Sequence, residues 1–200
     1  MEKMIFDDTN FVKELNEKLH QGGVVSFVTD TVWGVGCLPD NEKGVENIYA
    51  LKNRDRTKPL ILMSDSVEHL LSYVKDIPQS AQELMKKYFP GALTLIFEKS
   101  YKTPDFVTSF KNTVGIRVPD NHVFKRLCEV TDGHVLATTS ANLSHQPPAL
   151  NYDEAVEFVG SHVDYVFEDY GCHCQGLAST VALALDDNIK VLRQGEVVID

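Results

Sequence analysis

"KNRDRTKPLILM", residues 52–63, sits where one periodicity gives way to another. Upstream, Val45, Ile48, Tyr49 and Lys52 recur at helical spacing. The predicted helix therefore ends near Lys52, where a cation suits the negative end of the helix dipole. Downstream, after Pro59, "LILM" (60–63) is a short apolar run that reads as a strand. A helix, a polar loop and a strand in succession form the repeating unit of an α/β chain.

The alternation extends both ways. Thr9 or Asn10 is expected to cap a helix carrying Phe11, Val12, Leu15 and Leu19, closed by Gly22 and Gly23. "VVSFV" (24–28) reads as a buried strand, and "TDTVWGVG" after it as a glycine-punctuated turn. Helices are predicted at 66–74, at 80–89 with Ser80 as cap, after Asn121, and at "YDEAVEFV". Strands are predicted at "LTLIF", "TVGIRV", "VLATTS", "VDYVF", "STVALAL" and "IKVLRQ". No repeat, low-complexity tract or long linker interrupts the pattern. One domain over residues 1–200 is expected, with the Pro147-Pro148 segment as an active-site loop.

The chain has 29 acidic and 19 basic residues, a formal charge of −10. That balance argues against wide, non-specific binding to nucleic acid or anionic membrane, yet leaves room for a local basic cleft. No apolar run is long enough for a transmembrane helix, and the N-terminus lacks a secretory pattern. A cytoplasmic protein without membrane association is expected. Cys37, Cys128, Cys172 and Cys174 do not suggest a disulfide framework. "GCHCQG" (171–176) invites a zinc reading but lacks a second ligand pair at zinc-site spacing.

Phosphate-loop, dinucleotide and zinc-protease signatures are absent, and "ATTSAN" is not a nucleophile elbow. What remains is polar clusters at strand ends, where α/β sheets usually hold ligands. Lys52, Arg54 and Lys58 offer charge to phosphate oxygens. Arg117 lies inside an apolar strand pattern, where an unpaired charge is costly. Arg193 ends a strand. A bound polyanion would give these separate cations a common partner. Thr138, Thr139, Ser140 and Asn142 crowd one strand end; Ser179 and Thr180 lie in another. Such groups orient a small polar ligand. Trp33 reads as core or pocket wall. Asp30 reads as a turn cap or a Mg²⁺ ligand.

In order, "TDTVWGVG", "LKNRDRTKPL", "FPGALTLIF", "GIRVP", "TSANLS", "STV" and "LRQG" resemble the YrdC/TsaC family of threonylcarbamoyl-AMP synthases, from about Gly23 to Gly195. The resemblance implies a twisted, open, mixed sheet flanked by helices, with a concave, positively charged face. It implies synthesis of threonylcarbamoyl-AMP and pyrophosphate from L-threonine, bicarbonate and ATP, with Mg²⁺, for the N6-threonylcarbamoyladenosine modification of tRNA. By motif position, Thr31, Arg117, Thr138 and Ser179 would contact threonine. Lys58, Thr113, Ser140, Asn142 and Arg193 would hold ATP or the adenylate, and Lys52 and Arg54 would be catalytic. A downstream tRNA threonylcarbamoyl transferase is the implied partner, with at most weak direct binding of tRNA. Trp33 stands where tyrosine is common, and His145 where glycine is usual. Ala178 stands where proline often precedes "STV", Leu183 where aspartate often follows it, and "GCHC" fills a loop normally rich in glycine. The alternative is an RNA-binding or ribosome-associated module using the same face without adenylate synthesis.

Overall fold

A computed structural model describes residues 4–199. Helix α1 (Thr9–His20) starts at Asp8, whose carboxylate accepts from the Asn10 and Phe11 amides at 2.9 and 3.3 Å. The cap thus lies one residue before the predicted Thr9, since a carboxylate also complements the helix's positive end. Strand β1 (Val25–Phe27) follows, and then β2 (Gly34–Cys37), which begins within the last three residues of the segment expected to be a turn. The glycines there serve packing. A Cβ on Gly34 would stand 2.8 Å from the Phe27 ring, so only glycine lets that ring lie across β2.

Helix α2 (Glu42–Lys52) is capped by Asn41, whose amide nitrogen also donates to the His20 carbonyl at 2.7 Å, tying the start of α2 to the end of α1. It stops at Asn53, which takes a left-handed φ of 47°, a conformation asparagine tolerates at helix ends. Strand β3 (Ile61–Ser64) leads into the short α3 (Val67–Leu70), which tightens into a 3₁₀ turn instead of running to residue 74. Helix α4 (Gln79–Tyr88) begins after Pro78, not at Ser80. Proline's fixed φ suits the approach to a helix, and Ser80 lies inside the first turn. Strands β4 (Leu93–Glu98) and β5 (Thr113–Arg117), helix α5 (His122–Val130) capped by Asn121, strand β6 (Val135–Ser140) and helix α6 (Tyr152–Val159) follow. Strands β7 (Tyr165–Val166), β8 (Thr180–Leu183) and β9 (Lys190–Arg193) complete the described chain.

All nine strands share one mixed sheet in the order β7-β1-β2-β6-β3-β5-β4-β8-β9. Strand β3 is central, parallel to β5 and antiparallel to β6. Ile61 therefore faces Gly115 on one side and Thr138 on the other, and Met63 faces Arg117. That register brings the ends of β5 and β6 beside β3 although they are distant in sequence. Leu15, Leu19, Ile48, Phe97, Phe124 and Leu127 are fully buried, so helices from both halves of the chain seal the same sheet. Among the described residues no helix is long and apolar enough to cross a membrane.

Candidate active site

Across the middle of the sheet lies a cavity of about 370 Å³. Its lining brings together Thr31, Arg54, Arg117, Thr138, Ser140, Ser179 and Arg193, which the sequence spreads over more than 160 positions. No aspartate or glutamate lines it, among the described residues, whereas three arginines do.

Arg117 is the most constrained of them. It is 4% exposed and closes β5. Its Nε donates to the Gly91 carbonyl at 2.9 Å, one terminal nitrogen to Thr31 Oγ1 at 2.8 Å, and the other to Asp30 Oδ1 at 2.5 Å. The charge expected to await a polyanion thus has an internal partner. Asp30 serves as its counter-ion, which takes that carboxylate away from the metal and turn-cap roles. Burial pushes the guanidinium pKa down from its ordinary value, and Asp30 works against that shift.

Arg193 ends β9, and its guanidinium donates to the Ser179 carbonyl at 2.9 Å and the Ser179 hydroxyl at 3.2 Å. Ser179 Oγ is also 2.9 Å from Thr94 Oγ1. The glycine of "LRQG" makes this possible. A Cβ on Gly195 would lie 2.2 Å from the Ala178 carbonyl oxygen, so any side chain there would push β9 off the Ser179 segment. Thr94 and Thr29 also line the cavity and were not singled out in the sequence. Thr94, a buried hydroxyl in the apolar run "ALTLIF", carried a usable signal; Thr29, beside a turn, carried none.

The basic loop splits by function. Lys52 is 1% exposed and does not line the cavity. Its ammonium donates to the Ser140 carbonyl, to the Asn142 carbonyl at 2.6 Å and to Asn142 Oδ1 at 2.9 Å. Burial, aided by the neighbouring Arg54 charge, pushes its pKa down to about 7. Ser144 N–H donates to the Lys52 carbonyl at 2.9 Å, so the residue ties the end of α2 to the turn after β6 from both main chain and side chain. Asn142 completes the knot by accepting from Ser140 Oγ at 2.6 Å and donating to the Gln146 carbonyl at 2.7 Å. Arg54 does reach the cavity, steadied by the Lys58 and Pro59 carbonyls at 3.1 Å each. Its pKa is likewise lowered by burial. Arg56 pairs with Glu46 and lies over the Tyr49 ring, facing away from the cavity. Lys58 is exposed at the loop tip, outside the lining. Thr113 opens β5 opposite Glu98, four residues and thus about 13 Å from Arg117 along the strand.

Trp33 is both core and wall. It is fully buried, lines the cavity, and packs edge-on to Tyr152 at 6.0 Å. Its main chain bonds Ala141 and Ala149, which clamps both ends of the Pro147-Pro148 loop. In "GCHCQG", Cys172 Sγ lies 3.3 Å from His122 Nδ1, while Gln175 and Gly176 amides donate to the Asp30 and Thr31 carbonyls. The loop's evident role is to brace the turn that carries Asp30.

A family model for Sua5, YciO and YrdC, described as "Telomere recombination", matches residues 17–195. A threonylcarbamoyl-AMP synthase of Pseudoalteromonas translucida is 38% identical over 152 residues, covering 73% of this chain and 81% of its own. One of Halorhodospira halophila is 33% identical over 153 residues, covering 76% and 80%. The structure of P. abyssi Sua5 complexed with L-threonine is similar with a TM-score of 0.86 at 29% identity, over 94% of this chain and 55% of that one. The chain thus spans little more than half the length of that protein. E. coli YciO is similar with a TM-score of 0.81 at 25% identity, over 94% and 90%. A family match along most of the chain, relatives a third identical and the same sheet in two solved namesakes together make this chain a member of the Sua5/YciO/YrdC family.

Proposed function

We propose that the chain is an L-threonylcarbamoyladenylate synthase. The carrying observation is the single cavity, in which Thr31, Arg117, Thr138 and Ser179 stand beside Arg54, Ser140 and Arg193. The first four are assigned to threonine, with Arg117 drawing its carboxylate. The others are assigned to ATP and the adenylate, with Thr113 meeting its outer end. The names of the relatives and the threonine complex of P. abyssi Sua5 support the same substrates and give the RNA-binding alternative no support.

The threonine amine and bicarbonate give a carbamate and water. A carbamate oxygen then attacks the α-phosphorus, and the bond to the bridging oxygen breaks to release pyrophosphate. Both partners are anionic, so fixed positive charge and alignment are what the protein must supply. Arg54 and Arg193 face the cavity, making it locally positive in an acidic protein. Lys52 acts from beneath, by holding the Ser140–Asn142 turn. With no carboxylate in the lining among the described residues and Asp30 committed to Arg117, the cavity does not fit a resident Mg²⁺ held by the protein. Mg²⁺ is assigned to the ATP as its counter-ion.

Because carbamates are labile in water, we assign closure to the exposed tip of the basic loop, Asp55 to Lys58, which would carry Lys58 towards the phosphates. The continuous sheet supports one domain over residues 1–200. We place the reaction in the cytoplasm, upstream of a tRNA threonylcarbamoyl transferase, with at most weak contact to tRNA itself. Pyrophosphate release from ATP, measured with each amino acid and with and without bicarbonate, tests the assignment. Release should require both threonine and bicarbonate; release needing neither would overturn it.

A further inference from the structure

We propose that Asp65, His69 and His134 form a site for one divalent transition-metal ion of the zinc class, separate from the substrate cavity. Asp65 follows β3, His69 lies on α3, and His134 precedes β6. Because Ser64 pairs with Val135, the antiparallel ladder delivers Asp65 and His134 to the same edge of the sheet. This is the end away from Ser140, and none of the three residues lines the substrate cavity.

The donor geometry fits. His69 Nδ1 lies 3.0 Å from Asp65 Oδ1, and His134 Nδ1 lies 3.3 Å from Oδ2. One donor atom from each residue falls within 4.8 Å of the others. An ion bound at about 2.0–2.2 Å to nitrogen and oxygen needs donors about 3.0–3.6 Å apart, so small movements suffice. Two imidazoles and one carboxylate favour zinc-like ions over Mg²⁺ or Ca²⁺, which take oxygen ligands.

Charge points the same way. The Asp65 side chain is only 9% exposed and, among the described residues, pairs with imidazoles and with no lysine or arginine. The two rings stack with centroids 4.2 Å apart and planes 30° from parallel. A bound dication satisfies the carboxylate while leaving both rings neutral. The frame is already set: the buried Ser64 hydroxyl donates to the His134 carbonyl at 2.7 Å, and the His134 amide donates to the Thr131 carbonyl at 3.0 Å. The histidine side chains are 35% and 39% exposed, which leaves an entry path and room for water in the remaining position. The ion would pin together β3 and β6, the strands that carry Ile61, Met63, Thr138 and Ser140 to the cavity.

The test uses the full chain, dialysed against chelator and titrated with Zn²⁺ and with Co²⁺. The expected result is one ion per chain, a raised thermal midpoint, and a cobalt spectrum without thiolate charge transfer. His69→Gln and Asp65→Asn should each weaken binding by at least about tenfold. His69→Gln should leave pyrophosphate release intact, and Cys172→Ser with Cys174→Ser should leave metal binding intact. No binding by the wild type overturns the site. So does binding that survives His69→Gln and Asp65→Asn yet vanishes with the cysteine pair.

Discussion

Asp30→Asn separates the two demands on Arg117, because it keeps the size and one oxygen acceptor of the side chain while removing its charge. Both partners are nearly dry, with side chains 5% and 12% exposed at a 2.5 Å contact. With charge centres about 4 Å apart and an effective dielectric near 20, the pair is worth about 4 kcal/mol of attraction. A remaining hydrogen bond to the charged guanidinium returns about 1.5 kcal/mol. The variant should therefore lose about 2–3 kcal/mol in urea unfolding. The loss should differ little between low and high salt, since solvent ions barely reach the pair. Arg117 would then lack its internal counter-ion, and the substrate carboxylate would become its main anionic partner. The KM for threonine should fall several-fold even as the protein becomes less stable. A stability change below about 0.5 kcal/mol would refute the counter-ion role. A raised threonine KM would refute the competition between Asp30 and substrate.

Arg54→Ala should leave the fold intact and lower kcat/KM for adenylate formation by about 2–4 kcal/mol of transition-state stabilisation, read by pyrophosphate release. Lys52→Met should instead lower both activity and stability, the latter by about 2–4 kcal/mol, because three buried acceptors lose their donor; a stable, inactive variant would restore Lys52 to the phosphates. Lys52 also sets a pH dependence. Its ammonium titrates near 7 in the folded chain against 10.5 ordinarily, so between those values the unfolded chain holds more protons. The cost of burying the charge is therefore full below pH 7, and stability rises with pH from 7 towards 10.5, by at most about 5 kcal/mol. Unfolding measured across that range should show the rise in wild type and a flatter profile in Lys52→Met. Gly195→Ala should unseat Arg193 from Ser179 and raise the KM for ATP, with normal circular dichroism from the central strands.

Strong local signals read true. The polar-to-apolar change at Pro59, the run "VLATTS" and the pattern "YDEAVEFV" each mark an element found at or within a residue of its expected bounds. Asn121 and its helix read equally well, since a cap needs only its neighbours. Strand β2 escaped because its glycines answer to the Phe27 ring, a contact invisible along the chain. The cluster of cations marked a segment that borders the cavity but not each side chain's direction. Lys52 and Arg54 differ by two positions, yet one lies under the β6 turn and the other faces the cavity. Nor could spacing announce that Arg117 and Asp30 meet, for β1 and β5 stand three strands apart in the sheet and the turn after β1 must reach across them.

Among the described residues strand β9 pairs with one neighbour, and all four of its residues are exposed. Its partner β8 carries a register shift between Val181 and Ala182, which weakens that single ladder further. One wall of the cavity is thus an edge of the sheet, open to fraying, while Arg54, Arg117 and Ser140 stand on interior strands or tethered turns. The cavity can breathe at the Arg193 side at a small fraction of the free energy needed to unfold the molecule. A large anionic product then has a way out that leaves the threonine end assembled. Amide exchange at Val191 and Leu192 that is fast compared with Leu62 and Ile116 would be its signature.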